Sequence, residues 1–322
     1  MAMAVHICTN FLHSTHTVPS SLRPYPANPS STTVVRTRIS CLSSSSSSPR
    51  MDPQTKFMEF PHVSAPIRDL MLGLVSSVET HLGSSLLPCS LPPDVQYYQN
   101  PNGNAEGTVF VRSAIPSSPV DFILGSWINC KLPSGGALNI ASLSTYLKPS
   151  TNAPNFLIEV IQSTPTSLVL ILDMPPRKDL VLYPEYLKTF YEDTELDRHR
   201  QLLEKLPEVT PYSSPSLYIR ALISPTAILV RIEAEAGEIT RIDEIIRDNL
   251  SPIANEMIEV WLSLCASVDK EVGEAEMAYL EKRDLITKTK TIEIDLGANI
   301  PRLFGQEIAD RVLGVLRGVF NV

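Results

Sequence analysis

Apolar residues follow two different spacings along the chain. Between residues 67 and 82 they recur every three or four positions, which predicts a helix with one apolar stripe. Ser64 and Pro66 precede this stripe, where a hydroxyl can cap a helix and a proline loses no amide donor. Prolines and glycines between residues 87 and 107 then predict an irregular loop.

From residue 108 to residue 173 apolar and polar positions alternate, which predicts β-strands. Short connections rich in Pro, Ser and Gly separate these strands, and short connections favour antiparallel pairing. The predicted strands are Thr108–Arg112, Asp121–Cys130, Ala137–Leu147, Phe156–Gln162 and Leu168–Asp173. The last is apolar on both faces, as expected for a central strand.

Helical spacing predominates after residue 184. We predict helices over 184–206, 239–265 (broken near Ser251–Pro252), 271–284 and 308–320, and further strands at Ser216–Ala221 and Ala227–Ala234. This order predicts an α/β/α sandwich, in which helices flank a central antiparallel sheet. No repeat or linker divides residues 51–322, which we expect to form a single domain.

The first 50 residues differ in composition from the rest. They contain four arginines, many serines and no acidic residue, which is typical of a transit peptide; a disordered Ser-rich arm is the alternative. The whole chain has 27 basic and 35 acidic residues, so residues 51–322 keep 23 against 35, a formal charge of −12. This acidity argues against nucleic acid as a partner, and no apolar run is long enough to predict a transmembrane segment.

Familiar cofactor motifs are missing from the sequence. It has no glycine-rich dinucleotide loop, phosphate-binding loop or nucleophile elbow. The three histidines and three cysteines after residue 50 lack metal-binding spacing. We therefore expect chemistry without a bound nucleotide, flavin or metal.

Two carboxylates are candidates for that chemistry. Glu159 interrupts an apolar row on one strand face, and if helices cover that face, burial favours the protonated carboxyl. An edge strand facing water, or a partner such as Arg112, is the alternative. Asp295 lies on the polar side of residues 291–297, which otherwise have the alternation of a half-solvated segment, and Gly297 allows a bend after it.

A loop and a group of basic residues are the remaining candidates. Residues 211–215 place hydroxyls and amides between two prolines, so they can hold a carboxylate; a simple turn is the alternative. The basic group consists of Arg177, Lys178, Lys282, Arg283, Lys288, Lys290 and Arg302. On an acidic body it can dock an acidic partner, unless it is merely a solvated surface.

Several runs of residues resemble the red chlorophyll catabolite reductase family, in the same order over nearly the whole chain after residue 50. They are Lys56–Pro61, Leu87–Cys89, Leu91–Val95, Asn100–Gly103, Ala153–Phe156, Ser167–Asp173, Arg177–Leu182, Leu206–Val209 and Pro301–Gly305. No single run is a chemical motif, but their number and order are specific.

The resemblance implies a chloroplast stromal enzyme of chlorophyll breakdown, related to the ferredoxin-dependent bilin reductases. Such an enzyme binds no cofactor, takes electrons from reduced ferredoxin and reduces a methine double bond of red chlorophyll catabolite. Other enzymes of chlorophyll breakdown are further implied partners, and relatives suggest a homodimer. A tetrapyrrole carrier, or a bilin reductase for another open-chain tetrapyrrole, is the alternative.

The resemblance also implies roles for individual residues. The family's pocket carboxylates fall on Glu159, the expected proton donor, and on Asp295. The substrate-contacting loop falls on Tyr212, Ser213 and Ser214. A position associated with product stereochemistry falls on Ile223, where some relatives carry an aromatic residue, so the product epimer stays open. The histidine–aspartate pair of many bilin reductases has no counterpart here.

Overall fold

The computed structural model describes residues 53–133, 135–235, 237–266 and 272–322, and the leader predicted at residues 1–50 lies outside these ranges. The α-helices are α1 Pro53–Glu59, α2 Ala65–Leu82, α3 Pro93–Gln96, α4 Pro184–Leu187, α5 Leu196–Leu203, α6 Leu217–Leu222, α7 Ile239–Ile245, α8 Ser251–Trp261, α9 Glu274–Lys290, α10 Gly297–Phe304 and α11 Gln306–Phe320. Wider π-helical turns extend several of them, at Lys188–Glu192, Ile246–Leu250, Leu262–Ala266 and Thr291–Leu296.

Eight strands form one antiparallel sheet in the order β1-β2-β3-β4-β5-β6-β8-β7. They are β1 Tyr97–Gln99, β2 Ala105–Ser113, β3 Val120–Lys131, β4 Ala137–Leu147, β5 Phe156–Thr164, β6 Ser167–Asp173, β7 Val209–Pro211 and β8 Ile228–Glu233. All five strands predicted between residues 108 and 173 are present. The alternation there identified the sheet because each of these strands packs against a core.

Helices cover both faces of the sheet, which confirms the predicted sandwich. We call the face that carries Ile158 and Val160 the N-terminal face, since α1, α2 and α8 pack on it. The opposite face carries Leu157 and Ile161 and is covered by α10 and α11. We call it the C-terminal face.

Two predicted elements were wrong. Residues 216–221 form α6 rather than a strand, because the Ser216 hydroxyl caps it by accepting a hydrogen bond from the Ile219 amide at 3.3 Å. The short β7 lies at the sheet edge beside β8 in place of that strand. The helix over 239–266 does not break at Pro252. The π turn Ile246–Leu250 comes directly before Ser251–Trp261 and accommodates the proline, which has no amide N–H to donate.

The irregular loop predicted over residues 87–107 was only partly right. It contains α3 and β1, and β1 pairs with β2. Pro92 and Pro93 start α3 rather than preventing it, since a proline in the first turn costs no hydrogen bond. Ser64 precedes α2 as expected, but its side chain forms no capping hydrogen bond.

Helix α9 runs across the ends of the central strands and is fixed there by buried charge. Arg177 is fully buried, donates to the Asp284 carboxylate and also to the Thr151 carbonyl at 2.6 Å. Further along, Lys288 donates to Asp121 at 2.7 Å. These contacts hold α9 beside the C-terminal face.

Candidate active site

A row of side chains crosses the C-terminal face at right angles to the strands. It runs, one residue per strand from β2 to β8, through Val109, Ser126, Ser142, Glu159, Ile171 and Leu229. All six are buried, and the two serine hydroxyls lie 2.8 Å apart. Three polar residues in the middle of a covered sheet face are unusual, because buried polar groups cost free energy unless they are hydrogen-bonded, as the two serine hydroxyls are to each other.

Glu159 lies at the centre of this row and has no exposed surface. Its strand, β5, is flanked by β4 and β6, so the alternative of an edge strand facing water was wrong. Arg112 is not its partner either, since Arg112 donates to Glu79 at 2.6 Å on another part of the molecule. The expectation that helices bury Glu159 is confirmed.

The backbone at Asp295 lies on the same face of the sheet. It belongs to the π turn Thr291–Leu296, whose Ile292 and Leu296 pack in the cluster with Leu157 of β5. The alternation predicted here was wrong, because Thr291 and Ile292 are both buried. The side chain of Asp295 lies outside what the structure describes.

No bend follows the π turn, contrary to the expectation for Gly297. Its φ of −67° continues the helix into α10. A Cβ atom at this position would stand 2.8 Å from the carbonyl oxygen of Ile292. The glycine is therefore needed to close the π turn, in which its N–H donates to the Ile292 carbonyl, rather than for a change of direction.

The predicted substrate loop lies in the long connection between β7 and β8. Tyr212 and Ile223 both pack against the C-terminal face, so the structure brings them to the face that carries Glu159. Ser213 is exposed, whereas Ser214 is buried and its hydroxyl accepts the Ser216 amide at 3.3 Å. Ser214 therefore shapes the turn, and Ser213 leaves its hydroxyl open to a ligand.

A narrow cavity of about 60 Å³ opens between the ends of β4 and β5 and helix α9. Ser144 and Leu157 line it from the sheet, Leu222 from α6, and Arg283 and Thr291 from the α9 side. Drug-sized ligands occupy pockets of about 300–1,000 Å³. A ligand of that size fits this cavity only if the segments around it move apart.

Asp173 is a buried carboxylate that the sequence reasoning missed. It ends β6 on the C-terminal face, opposite Leu157, and burial raises its pKa to about 6 against hydrogen bonds from Ser224 that lower it. In the sequence it is the polar residue that follows an apolar strand, and such a residue usually marks only the end of the strand. Its position one pair away from Glu159 depends on strand register, which the sequence pattern does not give.

Most of the predicted basic group serves the fold. Arg177 and Lys288 are buried in ion pairs, Lys178 pairs with Glu276 at 2.6 Å, and Lys290 pairs with Glu293 at 2.6 Å. These four members therefore form ion pairs within the chain, and docking of an acidic partner by the group stays a prediction. Lys282 is exposed and, within the described part of the chain, belongs to no ion pair.

No helix among the described residues has the length and apolarity needed to cross a membrane. The same residues contain no group of three or more His, Cys, Asp and Glu side chains that could hold a metal ion.

Comparison with known proteins decides the family. The family model of red chlorophyll catabolite reductase matches residues 66–318, which include all eight strands and the whole site. The chain belongs to the red chlorophyll catabolite reductase family. This match confirms the family indicated by the short runs, of which Lys56–Pro61 precedes the matched residues.

Curated members of the family agree with this assignment. The chloroplastic red chlorophyll catabolite reductase of Arabidopsis thaliana is 53% identical over 83% of this chain and 84% of its own length. The chloroplastic red chlorophyll catabolite reductase 1 of Oryza sativa subsp. japonica is 43% identical over 79% of this chain and 78% of its own. The family assignment therefore covers most of both proteins.

A solved structure shows the same fold outside the family. Phytochromobilin synthase from tomato, crystallised with biliverdin, superposes with a TM-score of 0.61 over 79% of this chain and 82% of its own, at 18% identity. At this identity the likeness establishes the fold alone. It confirms the predicted sandwich of the bilin reductase type.

Proposed function

We propose that this chain reduces a methine double bond of red chlorophyll catabolite to give a primary fluorescent catabolite, with electrons from reduced ferredoxin and without a bound cofactor. The single observation that carries the proposal is Glu159, a fully buried acid at the centre of a covered sheet face, in a chain of this family. The curated relatives named chloroplastic support the same compartment here, and we place the enzyme in the stroma.

Reduction of one carbon–carbon double bond takes up two electrons and two protons. Two molecules of reduced ferredoxin each give one electron and are oxidised, and the bound tetrapyrrole carries the intermediate radical. The chain's own residues must supply protons at the reacting carbons and keep bulk water away. Burial favours the neutral form of a carboxyl group, so we assign the first proton to Glu159. Asp295 supplies the second proton or orients the pyrrole N–H groups.

The substrate lies between the C-terminal face and the segments that cover it. Tyr212 and Ile223 contact it from one side, Ser213 and Ser214 hold a polar edge, and the small side chains of Ser126 and Ser142 leave room beside Glu159. Serine hydroxyls both donate and accept, which suits a ligand with pyrrole N–H and carbonyl groups. The narrow cavity widens as the ligand enters.

Ferredoxin docks beside the cavity, at a surface we call the entrance and define by Arg220, Lys282 and Arg283. Leu222 of α6 and Arg283 of α9 both line the cavity, and Arg220 and Lys282 lie within two residues of them along the chain. Arg220 and Lys282 are exposed. Positive charge next to the substrate attracts an acidic electron carrier to the place where electrons are needed.

A binding experiment followed by addition of ferredoxin tests this function. Absorbance titration of the full chain with red chlorophyll catabolite, and separately with biliverdin, shows which tetrapyrrole binds. Anaerobic addition of reduced ferredoxin should then produce a blue-fluorescent product from the red catabolite. Binding without product would make the chain a carrier, and turnover of biliverdin alone would make it a bilin reductase for another substrate.

A further inference from the structure

Asp173, at the end of β6, is a buried carboxylate to which the proposed reaction gives no role. Both of its oxygens accept hydrogen bonds from one residue. The Ser224 amide donates to Oδ2 at 3.0 Å and the Ser224 hydroxyl donates to Oδ1 at 2.5 Å. The Ser224 hydroxyl also accepts the Thr226 amide at 3.2 Å, and all three residues are buried. The carboxylate thus fixes the turn that leads into β8.

This turn is one of two attachments of the segment that covers the site. Residues 212–224 leave the sheet where the Tyr212 amide donates to the Leu229 carbonyl at 2.8 Å, and they return to it at Ser224. Between these points Tyr212, Ile219 and Ile223 pack on the C-terminal face. The segment is therefore a flap held at both ends, and Asp173 holds one end.

The second attachment determines where Ile223 can lie. Ile223 follows α6 in an extended conformation (φ −74°, ψ 149°) and is bonded directly to Ser224. Neighbouring Cα atoms are about 3.8 Å apart, so fixing Ser224 fixes Ile223 closely. Leu222, one residue earlier, lines the cavity. The Asp173–Ser224 contact therefore reaches the cavity wall within two residues.

We propose that Asp173 is a positioning residue, which holds residues 212–224 against the sheet through Ser224 and so sets how tightly the flap closes on the tetrapyrrole. This inference rests on the proposed function for the identity of the ligand. Asp173 does not line the cavity and acts on the flap through Ser224. Removing its hydrogen bonds should loosen the flap and weaken substrate binding, while the proton donor at Glu159 stays in place.

Two substitutions at Asp173 separate its hydrogen bonds from its charge. In Asp173→Asn the amide oxygen accepts from the Ser224 N–H, and the amide NH₂ donates to the Ser224 hydroxyl, which can turn to accept. This variant keeps both contacts without a charge. Asp173→Ala removes both contacts. Thr108→Val is the matched control. Thr108 is also buried, and its hydroxyl accepts a hydrogen bond from the Trp127 amide (3.3 Å) on the other face of the sheet; the substitution removes this bond.

Hydrogen–deuterium exchange of the full chain, without substrate, is the direct test. We expect Asp173→Ala to raise exchange in residues 212–224 selectively, Asp173→Asn to match the wild type, and Thr108→Val to leave these residues unchanged. In turnover, Asp173→Ala should raise KM about tenfold or more, the effect of a lost hydrogen bond to a charged group, with kcat nearly unchanged. Asp173→Asn should restore the wild-type KM.

Exchange that rises equally over the whole sheet in Asp173→Ala, or an Asn variant that behaves like the Ala variant, would overturn the proposal. If Asp173→Ala does not fold, Ser224→Ala replaces it, because it deletes the hydroxyl contact and keeps the amide; unchanged exchange in residues 212–224 would then overturn the proposal. A wild type without turnover would contradict the proposed function alone, since the exchange measurement does not depend on the substrate.

Discussion

Glu159 and Asp173 are diagonal neighbours on the C-terminal face, because Glu159 pairs with Ile171 and Asp173 pairs with Leu157 across β5 and β6. Diagonal neighbours in antiparallel sheets are about 7–8 Å apart. Two buried acids at this separation would repel each other if both were charged, which favours the protonated form of at least one. We assign proton transfer to Glu159 and positioning to Asp173, because both oxygens of Asp173 accept hydrogen bonds from Ser224, which begins the turn into β8.

Asp173 should make the stability of the protein depend on pH. Burial raises its pKa from 3.8 to about 6, so between these values the folded state binds more protons than the unfolded state. The free energy of unfolding should therefore fall as pH rises through this window, by about 3 kcal/mol in all. Asp173→Asn does not titrate at this position. In urea denaturation, the free energy of unfolding of Asp173→Asn minus that of the wild type should therefore increase by about 3 kcal/mol between about pH 4 and pH 8. A constant difference between the two proteins would contradict the assignment.

The buried Arg177–Asp284 pair should be a major support of α9. Arg177→Met would leave the Asp284 carboxylate without its partner and should cost about 3–5 kcal/mol in the free energy of unfolding. Arg311→Met is the control, because it breaks a pair with Asp94 that is largely exposed, and it should cause little change. Equal losses in the two variants would show that α9 is held by other contacts.

The sheet could be predicted from the sequence because short apolar segments are separated by connections rich in Pro, Ser and Gly, and β3 to β6 are largely buried on both faces. The site could be predicted only in part. Glu159 stood out as a charge in an apolar row, whereas the serines at positions 126 and 142 look like ordinary strand residues. They become part of a site only through register, which brings them beside Glu159.

Two helical elements could not be predicted from the sequence, for a different reason. The residues of the π turn 291–296 alternate in polarity as a strand does, and only the adjoining helices α9 and α10 force them into a helical path. Residues 216–221 have the composition of a strand, but the cap at Ser216 and the already filled sheet edge make them a helix. In both cases the tertiary contacts outweigh the strand preference of the local sequence.

Gly297 should be essential for the placement of the π turn that carries Asp295. In Gly297→Ala the new methyl group would meet the Ile292 carbonyl at 2.8 Å, and relieving this contact requires a change in the π turn that joins the two residues. We expect a loss of about 1–3 kcal/mol in stability together with a loss of turnover. Gly314→Ala in α11 is the control, since its Cβ meets no atom within 4 Å, and it should stabilise the helix by about 0.5–1 kcal/mol. Full activity in Gly297→Ala would show that the turn's position is not critical.

The entrance should account for the attraction between this enzyme and ferredoxin. Reversing charge at Arg220 and Lys282 together should slow ferredoxin-dependent turnover about tenfold or more at low ionic strength, and the deficit should shrink as salt is added. Binding of the red catabolite should not change. Lys205→Glu is the control, because Lys205 is exposed beside β7, next to Leu206, which packs against the N-terminal face. If Lys205→Glu had the same effect, net charge rather than the entrance would be responsible.

Glu159→Gln is the most direct test of the central claim, that a buried acid protonates the tetrapyrrole. The two side chains have nearly the same size, so binding of red chlorophyll catabolite, followed by absorbance, should stay close to that of the wild type. Anaerobic turnover with reduced ferredoxin should fall by about 10²–10⁴-fold, the usual contribution of a positioned proton donor. Wild-type turnover in the variant would contradict the role of Glu159 as the donor.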